Sequence, residues 1–227
     1  LATLFLVATP IGNLADFSYR AVEVLKAVSH IGCEDTRTSG HLLNHYNIDA
    51  STFSFHQHNE HQKVTHLINL LDAHQNVALI SDAGMPGISD PGFLAVREAH
   101  KAGHTVSVIP GPDAATTALV ASGLPCDKYV FEGFLPQKKG RQKQLKQLVD
   151  EERTIIFYES PHRLLKLLDE LKTYMGDQRY VAVGRELTKK FEEVVRGPIF
   201  EVQANFNRRE SIKGEIVVIV APKGYSE

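Results

Sequence analysis

The chain contains no tryptophan and only two methionines and two cysteines among its 227 residues. Two thiols cannot staple a chain this long, and Cys33 and Cys126 lack metal-ligand spacing, which excludes a disulfide scaffold or a cysteine-bound zinc module. A reducing, cytoplasmic setting fits that usage. No apolar run approaches the ~20 residues of a membrane span, and the start Leu1-Ala2-Thr3 has no basic flank of the kind a secretion signal carries. The missing initiator methionine points to a trimmed chain. Neither sign of charge dominates: 25 Lys plus Arg stand against 27 Asp plus Glu, a net charge of -2. The overall field therefore does not draw the chain to a polyanion, and contact with nucleic acid requires a local patch. Sixteen Gly and ten Pro do not reach a low-complexity bias, while 43% hydrophobic and 23% charged residues describe ordinary globular composition.

What is present is a recurring unit of a short apolar run, a turn and a segment of helical period, the pattern of parallel strands joined by crossover helices. Leu4–Ala8, Ser29–Cys33, Val77–Ser81 and Val106–Ile109 read as strands covered on both faces. Ala21, Val24, Leu25 and Val28 form one core-facing stripe, and Val64, Leu67, Ile68 and Leu71 another. A helix is expected over Ala114–Ser122, closed by Gly123-Leu124-Pro125, and the domain boundary is placed there, giving domains 1–124 and 125–227. In the second domain Tyr129–Phe131, Thr154–Tyr158 and Tyr180–Val183 read as strands, with helices over Gln142–Val149 and Pro161–Tyr174. Glu193–Val195, Ile199–Val202 and Glu215–Val220 then read as strands without intervening helices, which predicts antiparallel hairpins and a mixed sheet.

In open α/β sheets ligands lie beyond the carboxyl ends of the strands. Here those ends carry Thr9-Pro10-Ile11-Gly12-Asn13, Glu34-Asp35-Thr36-Arg37, Asp82-Ala83-Gly84-Met85-Pro86 and Pro110-Gly111-Pro112-Asp113. The second domain adds Glu132-Gly133-Phe134, Glu159-Ser160-Pro161-His162-Arg163 and Arg185-Glu186-Leu187-Thr188. Turn-forming and helix-capping residues account for part of this pattern, yet acidic, Gly and Pro residues converge on one edge. No Walker motif, glycine-rich dinucleotide fingerprint or Gly-x-Ser-x-Gly elbow occurs. His56, His58, His61 and His66 lie in a polar loop and helix start, and no metal site is assigned to them. The residues alone reach as far as a cleft-forming α/β enzyme.

The strand ends, extended as Val7-Ala8-Thr9-Pro10-Ile11-Gly12-Asn13-Leu14, Glu34-Asp35-Thr36-Arg37, Ser81-Asp82-Ala83-Gly84 and Ile88-Ser89-Asp90-Pro91-Gly92, resemble the tetrapyrrole methylase superfamily. So do Pro110-Gly111-Pro112, Phe131-Glu132-Gly133-Phe134-Leu135-Pro136, Tyr158-Glu159-Ser160-Pro161-His162-Arg163 and Arg185-Glu186-Leu187-Thr188-Lys189. In detail they resemble its ribosomal RNA small-subunit methyltransferase I branch, from about Leu4 to Val220. The resemblance implies a two-domain α/β fold with a mainly parallel sheet in the first domain and a mixed sheet in the second. It also implies S-adenosyl-L-methionine in a cleft between them and 2′-O-methylation of a cytidine in the decoding region of 16S ribosomal RNA. A homodimer acting on the small ribosomal subunit is expected with it. Two departures stand out. Met85 and Gly87 replace the Thr and Leu usual in the family, and the chain ends at Glu227 where members commonly continue into a helical segment.

By that resemblance the cofactor contacts fall on Pro10, Asp82, Gly84, Met85, Gly111, Asp113, Ala114 and the main chain near Tyr158; Asp82 has a helix cap as its other reading. Methyl transfer from a sulfonium to a ribose hydroxyl is a direct displacement that needs alignment and a proton acceptor. Glu34, Asp35 and Arg37 in the first domain and Arg185, Glu186 and Lys189 in the second are the candidates, with a structural ion pair as the competing account for each. Lys138, Lys139, Arg141, Lys143 and Lys146 form a local basic segment with no acidic residue from Gly133 to Val149. Beside Phe134 it suits RNA phosphates and a stacked base, and a solvated helix face is its other reading. A tetrapyrrole methyltransferase of the same fold and a non-catalytic RNA-binding module are the alternative functions.

Overall fold

Apolar continuity decides where the first half forms strands. In the computed structural model, which describes residues 1–227, these are β1 (Thr3–Val7), β2 (His30–Cys33), β3 (Ser51–Ser54), β4 (Val77–Ile80) and β5 (Thr105–Ile109). They pair in the order β3-β2-β4-β1-β5, and every pairing is parallel. The crossovers are α1 (Tyr19–Ala27), α2 (Thr36–His45), α3 (Glu60–Asp72) and α4 (Phe93–Lys101). Side chains alternate along each strand, so the sheet has two faces. Val7, Ile31 and Ile80 pack with Leu25, Val28, Leu42 and Leu43 on one face. Leu4, Leu6 and Leu79 pack with Leu67, Leu71, Ala95 and Ala99 on the other.

The expected helix stripes supply these contacts, with Ala21, Leu25, Val28, Leu67 and Leu71 buried and Val24, Val64 and Ile68 packed at the margins. Strand β3 was not anticipated. Ser51-Thr52-Phe53-Ser54 lies at the sheet edge with its first two residues exposed, so it lacks the apolar run that marks its neighbours and is recruited by the backbone of β2.

The second compact unit runs from Ala114 to Glu227, the first from Leu1 to Asp113. Thus α5 (Ala114–Ser122) belongs with the second half, and the boundary lies ahead of the turn at Gly123-Leu124-Pro125, not after it. The reason is packing: α5 lies against the second sheet, chiefly on β7 (Thr154–Glu159), β8 (Tyr180–Arg185) and β10 (Ile216–Val220). That sheet has the order β6-β7-β10-β8-β9, completed by β6 (Tyr129–Phe134) and β9 (Glu193–Pro198). Strands β6 and β7 are parallel and the remaining pairings antiparallel, a mixed sheet. Helices α6 (Arg141–Gln147), α7 (Leu164–Met175) and α8 (Ile199–Asn207) complete the unit, and all three bury residues against one face, among them Leu145, Leu164, Leu168, Val202 and Phe206 with Phe157, Val183 and Val218.

Helix α8 corrects the expected strand at Ile199–Val202. Its buried residues are Ile199, Val202 and Phe206, spaced as successive turns of a helix and not as alternate residues of a strand. Pro198 at its start keeps an extended backbone, ψ 146°, and closes β9 while the helix begins. No helix is long and apolar enough to cross a membrane.

One close approach in the first sheet is testable. Gly32 pairs with Leu79 and Phe53, whose side chains lean over it so that an added Cβ would lie 2.3 Å from Leu79 Cδ2 and 3.0 Å from Phe53 Cζ. Gly32→Val should destabilise the protein by ~1–3 kcal/mol through overpacking; a urea midpoint equal to the parent's, at unchanged slope, would contradict this packing.

Candidate active site at the strand ends

The exits of β1, β4 and β5 are locked together by the main chain. Thr9 and Gly84 exchange both backbone hydrogen bonds, Thr9 N–H to Gly84 O at 2.9 Å and Gly84 N–H to Thr9 O at 3.0 Å. The Thr9 hydroxyl donates to Ser81 O at 3.1 Å, and the Ser81 hydroxyl donates to Gly84 O at 3.2 Å. Gly84 holds φ +84° to make this bridge, a conformation that favours glycine. At the exit of β5 an added Cβ on Gly111 would lie 3.0 Å from Ala8 Cβ, so this turn rests directly on the β1 exit. Pro10 and Met85 are partly buried beside the bridge, and Gly111 stays exposed. Asp113 and Ala114, also partly buried, lead into α5.

The exits of β2 and β4 are joined through carboxylates. Asp82 Oδ1 accepts the Asp35 N–H at 3.1 Å, and Glu34 Oε2 accepts the Asp82 N–H at 3.5 Å. Asp82 is therefore not a helix cap. The next helix begins only at Phe93, behind Gly92, and the Asp82 carboxylate ties two strand ends instead. Asp35 is the cap: it accepts the Arg37 N–H at 2.8 Å at the start of α2 and holds the Arg37 guanidinium at 2.8 Å. Hydrogen bonding from Arg37 pulls the Asp35 carboxyl down to about 2, too weak a base to compete for a hydroxyl proton.

Glu34, Asp82 and Asp90 move the other way. Burial is the main cause for each, and the Asp82 charge reinforces it for Glu34. The Asp90 carboxyl is pushed up to about 7 by burial and then by the charges of Glu34 and Asp82, against the Ser81 hydroxyl that favours its ionised form. Asp90 is missing from the sequence-derived candidates. It sits inside the Ile88-Ser89-Asp90-Pro91-Gly92 motif, but its environment is made by residues from the exits of β2 and β4, which no local signal reveals. His56 and Asn59 shape the turn ahead of α3, with the His56 N–H donating to Asn59 Oδ1 at 2.8 Å.

In the second unit the candidate groups are engaged in ion pairs. Arg185 binds Glu193 and donates to Lys213 O at 3.0 Å and Phe191 O at 3.3 Å, while Glu193 also holds Arg209. Glu186 accepts the Glu215 N–H at 3.0 Å and the Lys189 ammonium at 3.0 Å, and Lys189 reaches Glu215 at 2.7 Å. The Glu215 amide and Lys189 hold the Glu186 carboxyl below its ordinary value. Burial works against the charged Lys189, but its bonds to Glu215 and Glu186 outweigh that and raise it. Neither group is poised to accept a proton near neutrality.

The basic segment separates into two parts. Lys138, Lys139, Lys143 and Lys146 are exposed, and no carboxylate pairs with them. Arg141 is corrected: its side chain is only 3% exposed, bound to Glu170 at 2.7 Å and Glu159 at 3.5 Å, so it cannot touch an RNA phosphate. Phe134, 55% exposed, meets the Tyr158 ring edge-on at a centroid distance of 5.5 Å, and Phe131 meets it at 5.1 Å.

Comparison with known proteins gives a consistent placement. Residues 3–203 match the tetrapyrrole (corrin/porphyrin) methylases. The ribosomal RNA small subunit methyltransferase I of Escherichia coli O157:H7 is 51% identical, over 96% of this chain and 77% of its own length. That of Synechocystis sp. is 48% identical, over 97% and 79%. Among solved structures, the methyltransferase CobJ superposes with a TM-score of 0.73 at 15% identity, covering 100% of this chain and 96% of its own. Uroporphyrin-III-C-methyltransferase from Thermus thermophilus gives 0.70 at 18% identity, covering 97% and 94%. The parallel sheet, the mixed sheet and the sequence match agree, and the chain belongs to the tetrapyrrole methylase family.

Proposed function

We propose that this chain is an S-adenosyl-L-methionine-dependent methyltransferase acting on the 2′-hydroxyl of a cytidine in the decoding region of 16S ribosomal RNA. The observation that carries the reading is the 51% identity, across nearly the whole chain, to a protein named ribosomal RNA small subunit methyltransferase I. The small ribosomal subunit is the proposed form of the substrate, and a cytoplasmic homodimer the proposed form of the enzyme.

The first unit's strand ends fit the donor. Glu34, Asp82 and Asp90 gather negative charge there without a buried cation among them, which complements a ligand of net positive charge. Gly84 and Gly111, with Pro10, Met85, Asp113 and Ala114 beside them, are the groups proposed to line its site. When bound, S-adenosyl-L-methionine supplies an electrophilic methyl group on a positively charged sulfur. The chain's own groups align the ribose hydroxyl and take its proton as the new carbon–oxygen bond forms and the carbon–sulfur bond breaks, leaving a neutral thioether. Glu34, alone among the six sequence-derived catalytic candidates, has a carboxyl raised above its ordinary value, by burial first, and Asp90 joins it as the proposed proton acceptor.

Transfer of labelled methyl groups to small ribosomal subunits, free 16S ribosomal RNA and tetrapyrrole precursors, assayed in parallel, tests the reading. Label is expected in the RNA, at a 2′-O-methylcytidine; label in the tetrapyrroles alone, or donor binding without transfer to any RNA, would overturn it.

The pH dependence has a defined sign. A carboxyl near 7 must lose its proton to act as acceptor, so turnover should rise through pH 7. Asp90→Asn should abolish that limb, and an unchanged profile would remove Asp90 from the chemistry. Folding stability moves oppositely. Because the folded-state value is raised from 3.8 to about 7, the contribution of Asp90 is most favourable below pH 4 and is lost as pH climbs to 7. Urea titrations should find Asp90→Asn more stable than the parent by ~1–2 kcal/mol above that window, after solvent screening of a partly buried group, and nearly equal to it below.

Asp82→Asn keeps the hydrogen bond to Asp35 while removing the charge. Calorimetry should show donor affinity reduced about tenfold with the melting temperature nearly unchanged, as expected for ~1.4 kcal/mol of lost charge interaction; equal affinity would assign Asp82 to the fold alone.

A further inference from the structure

We propose that Arg141 is a positioning residue for RNA: a buried guanidinium that fixes the turn presenting Lys138 and Lys139. The proposal rests on the RNA reading above and assigns a role to a residue that the basic run had suggested as a phosphate ligand.

The geometry brackets the two lysines. On one side Arg141 Nη1 donates to Pro136 O at 3.3 Å; on the other the Arg141 N–H closes the turn onto Lys138 O at 3.4 Å. Gly140, at φ +92°, lets the chain reverse between them, in a region favouring glycine. The rest of the guanidinium reaches inward. Nε donates to Glu170 on α7 at 2.7 Å, and Nη2 lies 3.5 Å from Glu159 at the end of β7. Glu159 is itself held by Arg163 at 2.7 Å and by the Ser160 N–H at 2.8 Å. One planar side chain thus joins the turn to a strand end and to a helix, and its two carboxylate partners are 1% and 18% exposed.

A lysine could not make these bonds together. Its single ammonium presents three donors from one point, whereas the guanidinium spreads five donors over a fixed plane. Stability is a poor account of the cluster, because burying charges costs much of what their pairing returns, and well-packed apolar residues often serve as well. Placement is unfavourable too: a cation at the first residue of α6 opposes the helix dipole. What the cluster supplies is one fixed position for the Gln137–Gly140 segment, so that Lys138 and Lys139 meet phosphates without first being ordered.

The test compares Arg141→Lys, the double variant Lys138→Ala/Lys139→Ala and the three changes combined, binding transcribed 16S ribosomal RNA across a range of salt, below the lowest melting temperature of the set. The double variant should lower the salt-dependence slope by ~1.5 units, for two lost phosphate contacts. Arg141→Lys, although it conserves charge, should lower it by a similar amount and weaken binding about tenfold at moderate salt, and adding it to the double variant should produce no further loss. Glu170→Gln, which removes the partner on α7, replaces Arg141→Lys if that variant does not fold and carries the same expectation. A parent-like slope in the Arg141 or Glu170 variant would reduce the cluster to a core ion pair. Full additivity with the double variant would place Arg141's effect elsewhere. An unchanged slope in the double variant itself would remove the turn from RNA binding, and the positioning role with it.

Discussion

The pair of main-chain hydrogen bonds between Thr9 and Gly84 is the constraint on which the first unit's functional edge depends. Parallel strands leave their sheet pointing the same way, and each exit loop would otherwise move independently of its neighbours. The reciprocal bridge makes the exits of β1 and β4 a single piece. It also buries Thr9 and Ser81, whose hydroxyls donate to the carbonyls of Ser81 and Gly84 respectively. Gly111 then rests on Ala8, and Asp82 reaches the exit of β2. The carboxylates of three separate segments are thereby held near one another on backbone that has little freedom to relax. That rigidity keeps the groups partly buried and close together, so that burial first and neighbouring charge second raise their proton affinity, because mobile side chains would turn apart into water.

The two units handle charge differently. In the second, Arg185, Glu186, Lys189, Glu193, Arg209 and Glu215 form closed ion pairs; the raised Lys189 and lowered Glu186 stay ionised through neutrality. At the strand ends of the first, Asp35 is neutralised by an arginine, at an exposed surface, while Glu34, Asp82 and Asp90 have no ion-pair partner and lie near one another's charge. Paired groups order backbone, whereas carboxyls without an ion-pair partner and raised above their ordinary values are a source of proton transfer and of attraction for a cation. The division of labour follows from which partners each strand end finds, not from residue type, since both units offer Asp or Glu beside Arg.

Most strands were legible because apolar continuity survives wherever both sheet faces are covered, as in β4, where Val77-Ala78-Leu79-Ile80 is wholly buried. Legibility failed where the deciding contact was remote. Strand β3 is polar because it is an edge. The β-branched start of α8 imitates a strand until Phe206 completes the helical spacing. Gly123-Leu124-Pro125 does end a helix, but that helix is claimed by strands formed later in the chain. The same limit applies to the site: Arg141 looks like one more cation of a basic run because Glu159 and Glu170, 18 and 29 residues away, are invisible to local reading. Glu34, Asp82, Gly84 and Gly111 could be singled out because strand ends are where parallel sheets bring ligands. Asp90 could not, its raised carboxyl being the product of neighbours from other strands.

The choice of methyl acceptor is a matter of residues, not of fold. The uroporphyrin-III-C-methyltransferase shares the architecture at 18% identity, and one scaffold can serve unrelated substrates. What bears on the acceptor must be residues that the scaffold does not require. Helix α6 supplies such a set. Its first residue is a cation, Lys143 and Lys146 follow one turn apart as like charges, and Lys138 and Lys139 precede it with no carboxylate partner. Each choice disfavours an isolated helix start, and an acidic residue at Lys138, Lys139, Lys143 or Lys146 would relieve the repulsion. Sequences depart from local preference in this way mainly where function requires it. A polyanion laid along the segment offsets the repulsion directly, whereas a compact ligand would leave most of these lysines unneutralised; the local frustration of α6 therefore favours RNA.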